Sequence, residues 1–84
     1  MRIHYSKHVL EEIEKRKLSR SLVDEVLRAP EQKVPEVDAI TCYQSRVTIG
    51  GKPYLLRVMV NDTVTPPVVV TVYRTSKITK YWRA

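Results

Sequence analysis

The sequence contains little of what a cross-linked, membrane-embedded or metal-binding protein requires. Cys42 is the only cysteine among 84 residues, which excludes an intramolecular disulfide and favours a reducing compartment. No apolar run approaches the ~20 residues of a membrane span and no signal peptide opens the chain, so we expect a cytoplasmic protein. The two histidines, His4 and His8, lack the cysteine or carboxylate cluster that would complete a metal site, so neither a metal nor a cofactor is expected.

Acidic residues are scarce in the second half of the chain. The formal net charge is +6. Up to Thr41, eight Lys/Arg are balanced by eight Asp/Glu, whereas beyond it seven Lys/Arg face Asp62 alone. A basic excess confined to one part of the chain is typical of a nucleic-acid-binding face. The alternative is a charge excess that only keeps the protein soluble.

The residue pattern predicts helices in the first half and strands in the second. Ser6 and Ser19 are N-cap residues with apolar helical stripes behind them, and Gly50-Gly51 is a hairpin signal. The predicted elements are a short edge strand at 2–5, helices over 7–17 and from 19 to the residue before Pro30, a loop or edge strand at 31–39, and strands over 41–49, 53–60 and 68–74. The last strand is the most apolar, so we expect it to be central and buried on both faces. The prediction is one α+β domain over residues 1–84, with two N-terminal helices packed on an antiparallel sheet of three or four strands.

The C-terminal stretch, residues 71–83, begins as an apolar strand and continues as alternating cations, hydroxyls and aromatics. Such a segment can contact a phosphate backbone and stack on bases, so RNA or DNA is the expected partner. Trp82 also has a structural interpretation, because a lone Trp in a small domain usually anchors packing.

These features together resemble those of a known group of small domains. The resemblance rests on His8 and Arg16 in the first helix, Arg57 in a middle strand and the block Thr-Val-Tyr-Arg-Thr-Ser-Lys-Ile at 71–78, and it extends over residues 5–82. The group is an uncharacterised family placed with the RelE-like and BrnT-like toxins in the barnase–EndoU–colicin–RelE ribonuclease superfamily. The resemblance implies two helices on a twisted antiparallel sheet and, from the toxin relatives, metal-independent RNA cleavage. An acidic antitoxin covering the basic face would be the protein partner.

His8 is the candidate proton carrier for such a reaction. Cleaving RNA without a metal requires a base for the 2′-OH, cationic donors for the phosphorane and an acid for the leaving oxygen. His8 has an unperturbed pKa near neutrality, and helical spacing places it beside Glu12 and Arg16 at the edge of the apolar stripe. The structural alternative is a helix-boundary residue paired with Glu12 across one turn.

The remaining site residues come from the strands and the C-terminal stretch. Period-2 alternation places Arg57 on the same strand face as Leu55 and Met59, where it either reaches the sheet edge or binds an anion. We expect Arg57 and Arg74 to stabilise the phosphate, and Tyr73 or Tyr81 to stack or transfer a proton. The residues predicted to contact RNA are Arg16, Thr75, Lys77, Lys80 and Tyr81.

Two other functions fit parts of the sequence. One is a non-catalytic nucleic-acid-binding or regulatory domain on the same scaffold. It is favoured if His8 lies out of reach of Arg57 and Arg74. The other is a helix-turn-helix DNA reader, which ranks last because the second helix has few cations and carries Asp24 and Glu25, which oppose phosphate contact.

Overall fold

The computed structural model describes residues 2–84, which form a small α+β fold. Its elements in chain order are β1 (His4–Tyr5), α1 (Lys7–Lys15), α2 (Arg20–Arg28), β2 (Gln32–Pro35), β3 (Ile40–Ile49), β4 (Lys52–Asn61), β5 (Val68–Thr75) and α3 (Ile78–Tyr81). Both predicted N-caps are confirmed, since Ser6 Oγ accepts the Val9 N–H at 3.2 Å and Ser19 Oγ accepts the Leu22 N–H at 3.3 Å.

The strands form one mixed sheet in the order β1-β5-β4-β3-β2. The β2, β3, β4 and β5 strands pair antiparallel, while β1 pairs parallel to β5. The prediction of an antiparallel sheet with three or four strands is therefore wrong in the number of strands and in the direction of β1. The third helix, α3, was not predicted. The two-residue hairpin is confirmed, because Gly50 and Gly51 both have positive φ, +58° and +77°, as a type I′ turn requires.

The helices α1 and α2 cover one side of the sheet, which we call the helix side. The apolar core lies between these two helices and the sheet. On β4 the core residues are Leu56, Val58 and Val60. On β5 the core residues are Val69 and Val72, because a register shift beside Met59 and Val60 adds one residue to that strand. Val70 consequently remains 37% exposed, so the prediction that this strand is buried on both faces is wrong. Four consecutive buried residues occur instead in β3, over 42–45, and in β4, over 55–58.

Within residues 2–84, the opposite side of the sheet has no long helix packed on it and carries one continuous line of polar residues. Gln32 lies opposite Gln44, Gln44 opposite Arg57, and Arg57 opposite Tyr73, so these four residues form a row across β2, β3, β4 and β5. Directly opposed residues share a face of the sheet, and we call this the polar row on the polar side. After β5 the chain turns through Ser76 and returns over this side as α3 and the residues that follow it.

Among the described residues, no helix combines the length and the apolar character that crossing a membrane requires.

Candidate functional site

Arg57 is the centre of the polar row. Its residue is only 4% exposed. Nε donates to Gln44 Oε1 at 2.9 Å, Nη1 donates to the Tyr73 hydroxyl at 2.6 Å, and Nη2 donates to Glu36 Oε1 at 2.8 Å. Burial disfavours the guanidinium charge, yet the pKa of Arg57 is raised because the hydrogen bonds to Tyr73 and Glu36 outweigh the burial. Arg57 is therefore a fixed buried cation.

The sheet register explains why these groups meet. Gln44 and Tyr73 are the direct cross-strand neighbours of Arg57, so their side chains emerge beside it on the same face. Glu36 comes from the segment that follows β2 and supplies the only carboxylate within salt-bridge distance of Arg57 among residues 2–84. The Glu36 side chain is 29% exposed and connects the buried cation to the surface.

The C-terminal residues lie over Arg57. The Tyr81 ring centroid is 4.3 Å from Arg57 Cζ, a cation–π contact, and the Tyr81 carbonyl accepts a hydrogen bond from Gln44 Nε2 at 3.2 Å. The same Gln44 Nε2 donates to Gln32 Oε1 at 2.8 Å. The polar row is thus bonded both along its length and to the chain above it.

An open pocket of about 470 Å³ adjoins this arrangement. It is lined by Glu36, Arg57, Lys80, Tyr81, Trp82 and Arg83. Three of these residues are cations and two are aromatic, which suits an anion joined to a planar ring.

Two further arginines stack on aromatic rings at the same end of the sheet. Arg46 lies 4.3 Å from the Trp82 centroid and also forms two side-chain hydrogen bonds with Glu31, at 3.2 and 2.9 Å. The guanidinium of Arg46 lowers the pKa of the Glu31 carboxyl through these bonds. Arg74 lies 4.7 Å from the Tyr54 centroid.

The structure does not bring His8 to Arg57. The His8 side chain is 71% exposed on α1, and its Nε2 lies 3.7 Å from Glu12 Oε2, which also pairs with Arg16 at 3.5 Å. Glu12 in turn accepts the Thr71 hydroxyl at 2.8 Å, which ties α1 to β5. The described contacts of His8 fit the alternative of a helix-surface residue paired with Glu12, and neither His8 nor Arg16 joins the polar row.

The other sequence-predicted residues divide between the two sides of the sheet. Tyr73 is brought to Arg57, but Arg74 lies opposite the buried Leu56 and so on the helix side. Arg57 and Arg74 therefore do not share a face. Lys77, Lys80 and Tyr81 lie in or next to α3, and the Thr75 hydroxyl accepts the Lys77 N–H at 3.1 Å, which shapes the turn into it.

Sequence reasoning missed Glu36 and Gln44. Gln44 carried a usable signal, because alternation places this amide on the same strand face as Cys42, where a buried polar side chain requires a hydrogen-bond partner. Glu36 carried no such signal, since a carboxylate is common in a polar stretch of sequence.

Burial raises the pKa of the Cys42 thiol to about 11, so this cysteine is a packed side chain rather than a nucleophile. No cluster of three or more potential metal ligands occurs within residues 2–84.

The fold and the site define a small α+β domain whose sheet has helices on one side and a buried arginine on the other. A family model described as a domain of unknown function (DUF4258) matches residues 5–74, and the chain belongs to this family. The match includes the whole polar row and ends at Arg74, before α3. Neither a curated protein nor a solved structure matches the chain.

Proposed function

We propose that this protein binds single-stranded RNA through the C-terminal cationic surface, which consists of Arg46, Lys77, Lys80, Tyr81, Trp82 and Arg83. The observation that supports this proposal is the grouping of cations and aromatic rings around one pocket. Lys77, Lys80 and Arg83 take part in no ion pair formed within residues 2–84, so their charge is available to phosphates. Tyr81 and Trp82 are half-buried and supply ring faces for base stacking.

The test is the salt dependence of binding to a short uridine oligonucleotide. Three or four phosphate contacts predict a log–log slope of about −2 to −3, from ~0.7 counterions released per contact on a single strand. Lys80→Ala should make the slope shallower by roughly 0.7. Lys15→Ala is the matched control, because Lys15 is an exposed lysine at the far end of α1. Absence of binding at low salt, or a slope that Lys80→Ala leaves unchanged, would contradict the proposal.

A second candidate function, metal-independent RNA cleavage, is favoured by the groups that surround Arg57. A guanidinium, a phenol and a carboxylate meet within 2.6–2.8 Å on one face of the sheet. In such chemistry the Glu36 carboxylate would accept the 2′-OH proton, Arg57 would stabilise the phosphorane and Tyr73 would protonate the leaving oxygen. Kinship with RelE-like and BrnT-like toxins belongs to this proposal, as does an acidic antitoxin that would cover the cationic surface.

The two candidates differ in a measurement made with EDTA present. Cleavage would release a 2′,3′-cyclic phosphate, and Tyr73→Phe or Glu36→Gln should slow it by about 10²–10⁴-fold while RNA affinity stays near that of the wild type. His8→Gln is the comparison variant, since the described contacts of His8 leave it outside this cluster and the rate should not change. Binding without any such cleavage would leave the RNA-binding function alone.

A further inference from the structure

The last residues of the chain, which we call the strap (residues 77–84), are attached to the sheet by polar and cation–aromatic contacts. No residue of α3 is buried, and its preceding cap position has no side-chain hydrogen bond. The described attachments are Tyr81 on Arg57, the Tyr81 carbonyl on Gln44 Nε2, Trp82 on Arg46 and the backbone of Arg83 on Gln32. A segment without buried apolar side chains opens at a far lower cost than the core of the fold.

Gln32 acts as the latch of the strap. Its Oε1 accepts the Arg83 N–H at 3.1 Å while its Nε2 donates to the Arg83 carbonyl, as one β-strand bonds its neighbour. The same Oε1 accepts Gln44 Nε2, so the latch is continuous with the polar row. This side chain therefore joins the strap to the residues around Arg57 without contributing any charge.

Arg57 lies underneath the strap with unused binding capacity. Its side chain is 5% exposed, and the described hydrogen bonds use Nε, Nη1 and Nη2 once each. A guanidinium has five N–H donors, so two remain for an incoming oxyanion. The guanidinium lies over the Tyr81 ring, with Cζ 4.3 Å from the ring centroid, so Tyr81 covers it. Arg57, Glu36 and Tyr73 lie within the family match, whereas the strap lies outside it.

We propose that the strap is a displaceable cover over an oxyanion site at Arg57, and that an RNA phosphate binds there once Tyr81 has moved away. This inference rests on the proposed RNA binding and adds its regulation. In the closed state the phosphate reaches Lys80 and Arg83 at the surface. In the open state Arg57 becomes a further contact, so the apparent Kd equals the Kd of the open state divided by the fraction of molecules whose strap is open.

The test is Gln32→Ala, which removes the latch and leaves every cation in place. Trp82 is the only tryptophan, so acrylamide quenching of its fluorescence reports the position of the strap without a label. Thr48→Ala is the matched control, because Thr48 is an exposed residue of β3 without a described side-chain hydrogen bond. The probes are a five-nucleotide uridine oligonucleotide and, separately, inorganic pyrophosphate.

We expect Gln32→Ala to increase Trp82 quenching and to tighten oligonucleotide binding by about three- to tenfold, as for a strap open ~10–30% of the time in the wild type. Pyrophosphate should increase quenching in the wild type. Unchanged Trp82 quenching in Gln32→Ala would contradict the proposal that the strap is a displaceable cover. Greater quenching with equal or weaker oligonucleotide affinity would contradict it as well. If Gln32→Ala does not fold, Gln32→Met provides the same two readouts, because methionine keeps the length of the side chain but cannot form the hydrogen bonds to Arg83. If the wild type binds no RNA but pyrophosphate increases its Trp82 quenching, the proposed RNA binding is refuted. The proposal that the strap covers an oxyanion site at Arg57 then still holds.

Discussion

Arg57→Met should destabilise the fold more than its single lost charge suggests. Methionine fills much of the same volume, so the main cost comes from the groups that arginine leaves behind. Gln44 is 0% exposed, and its Oε1 would lose the donor that now lies at 2.9 Å and keep only the weak Cys42 thiol donor at 3.8 Å. A buried unsatisfied polar atom costs about 1–3 kcal/mol, and removing one partner of a buried ion pair costs about 3–5 kcal/mol. Because Glu36 still reaches water, we expect the lower end of the second range, about 3 kcal/mol.

That loss is a large part of the stability of a domain of this size, for which roughly 4–13 kcal/mol is typical at 0.05–0.15 kcal/mol per residue. It corresponds to a fall in melting temperature of about 12–24 °C. Arg74→Ala is the control, because Arg74 is exposed and its stacking on Tyr54 at 4.7 Å contributes no more than about 1 kcal/mol. The two arginines should thus differ by about 2 kcal/mol or more in urea unfolding at neutral pH.

A double variant separates the two causes of this loss. Adding Gln44→Leu to Arg57→Met removes the orphaned oxygen, so the pair should be more stable than the sum of its single effects by about 0.5–3 kcal/mol. If Arg57→Met lowers the free energy of unfolding by less than about 1 kcal/mol, the guanidinium is not buried as described. Strictly additive effects would mean that the unsatisfied Gln44 is not the cause.

Two further outcomes test the packing of β5 and α1. Val69→Ala should cost about 2–3 kcal/mol in urea unfolding, since Val69 is fully buried, whereas Val70→Ala should cost about 0.5 kcal/mol; equal costs would refute the register shift. Burial opposes ionisation of Glu12, but bonds from Thr71 and the Val72 N–H together with His8 and Arg16 lower its pKa. A lowered folded-state pKa gives stability that is present above the unfolded value of about 4.3 and lost as pH falls through the folded value. The urea midpoint should therefore fall on acidification below about pH 4, and Glu12→Gln should make that fall shallower.

The local elements could be predicted because their signals are short-range. A serine before an apolar helical stripe and two adjacent glycines between β-branched runs each fix a few backbone angles by themselves. Alternation likewise placed Arg57 with Leu55 and Met59, since β4 contains no bulge before residue 59. These predictions needed no knowledge of distant residues.

Apart from the short helix α3, which was not predicted, the errors concern contacts between residues distant in sequence. The parallel pairing of β1 with β5 joins His4 to Val68, and no local pattern announces it. The bulge that exposes Val70 is equally invisible in a run of valines. Glu36 reaches Arg57 across 21 positions, and only the folded register reveals that Arg74 faces away from it. The site was therefore predicted in its residue types, but not in its grouping.

The polar row is the part of this fold that stability alone does not explain. A leucine or methionine at position 57 with an apolar partner at position 44 should make the fold at least as stable. The reason is that a buried ion pair seldom stabilises a protein more than apolar packing of the same volume. Here the sheet instead buries a cation among two amides, a phenol and a carboxylate, and satisfies every buried side-chain nitrogen and oxygen within the described residues. Polar groups that break the local pattern yet each have a hydrogen-bond partner are expected where a protein needs their chemistry. Arg57 and its neighbours, rather than the histidine of α1, are accordingly where that chemistry should be sought.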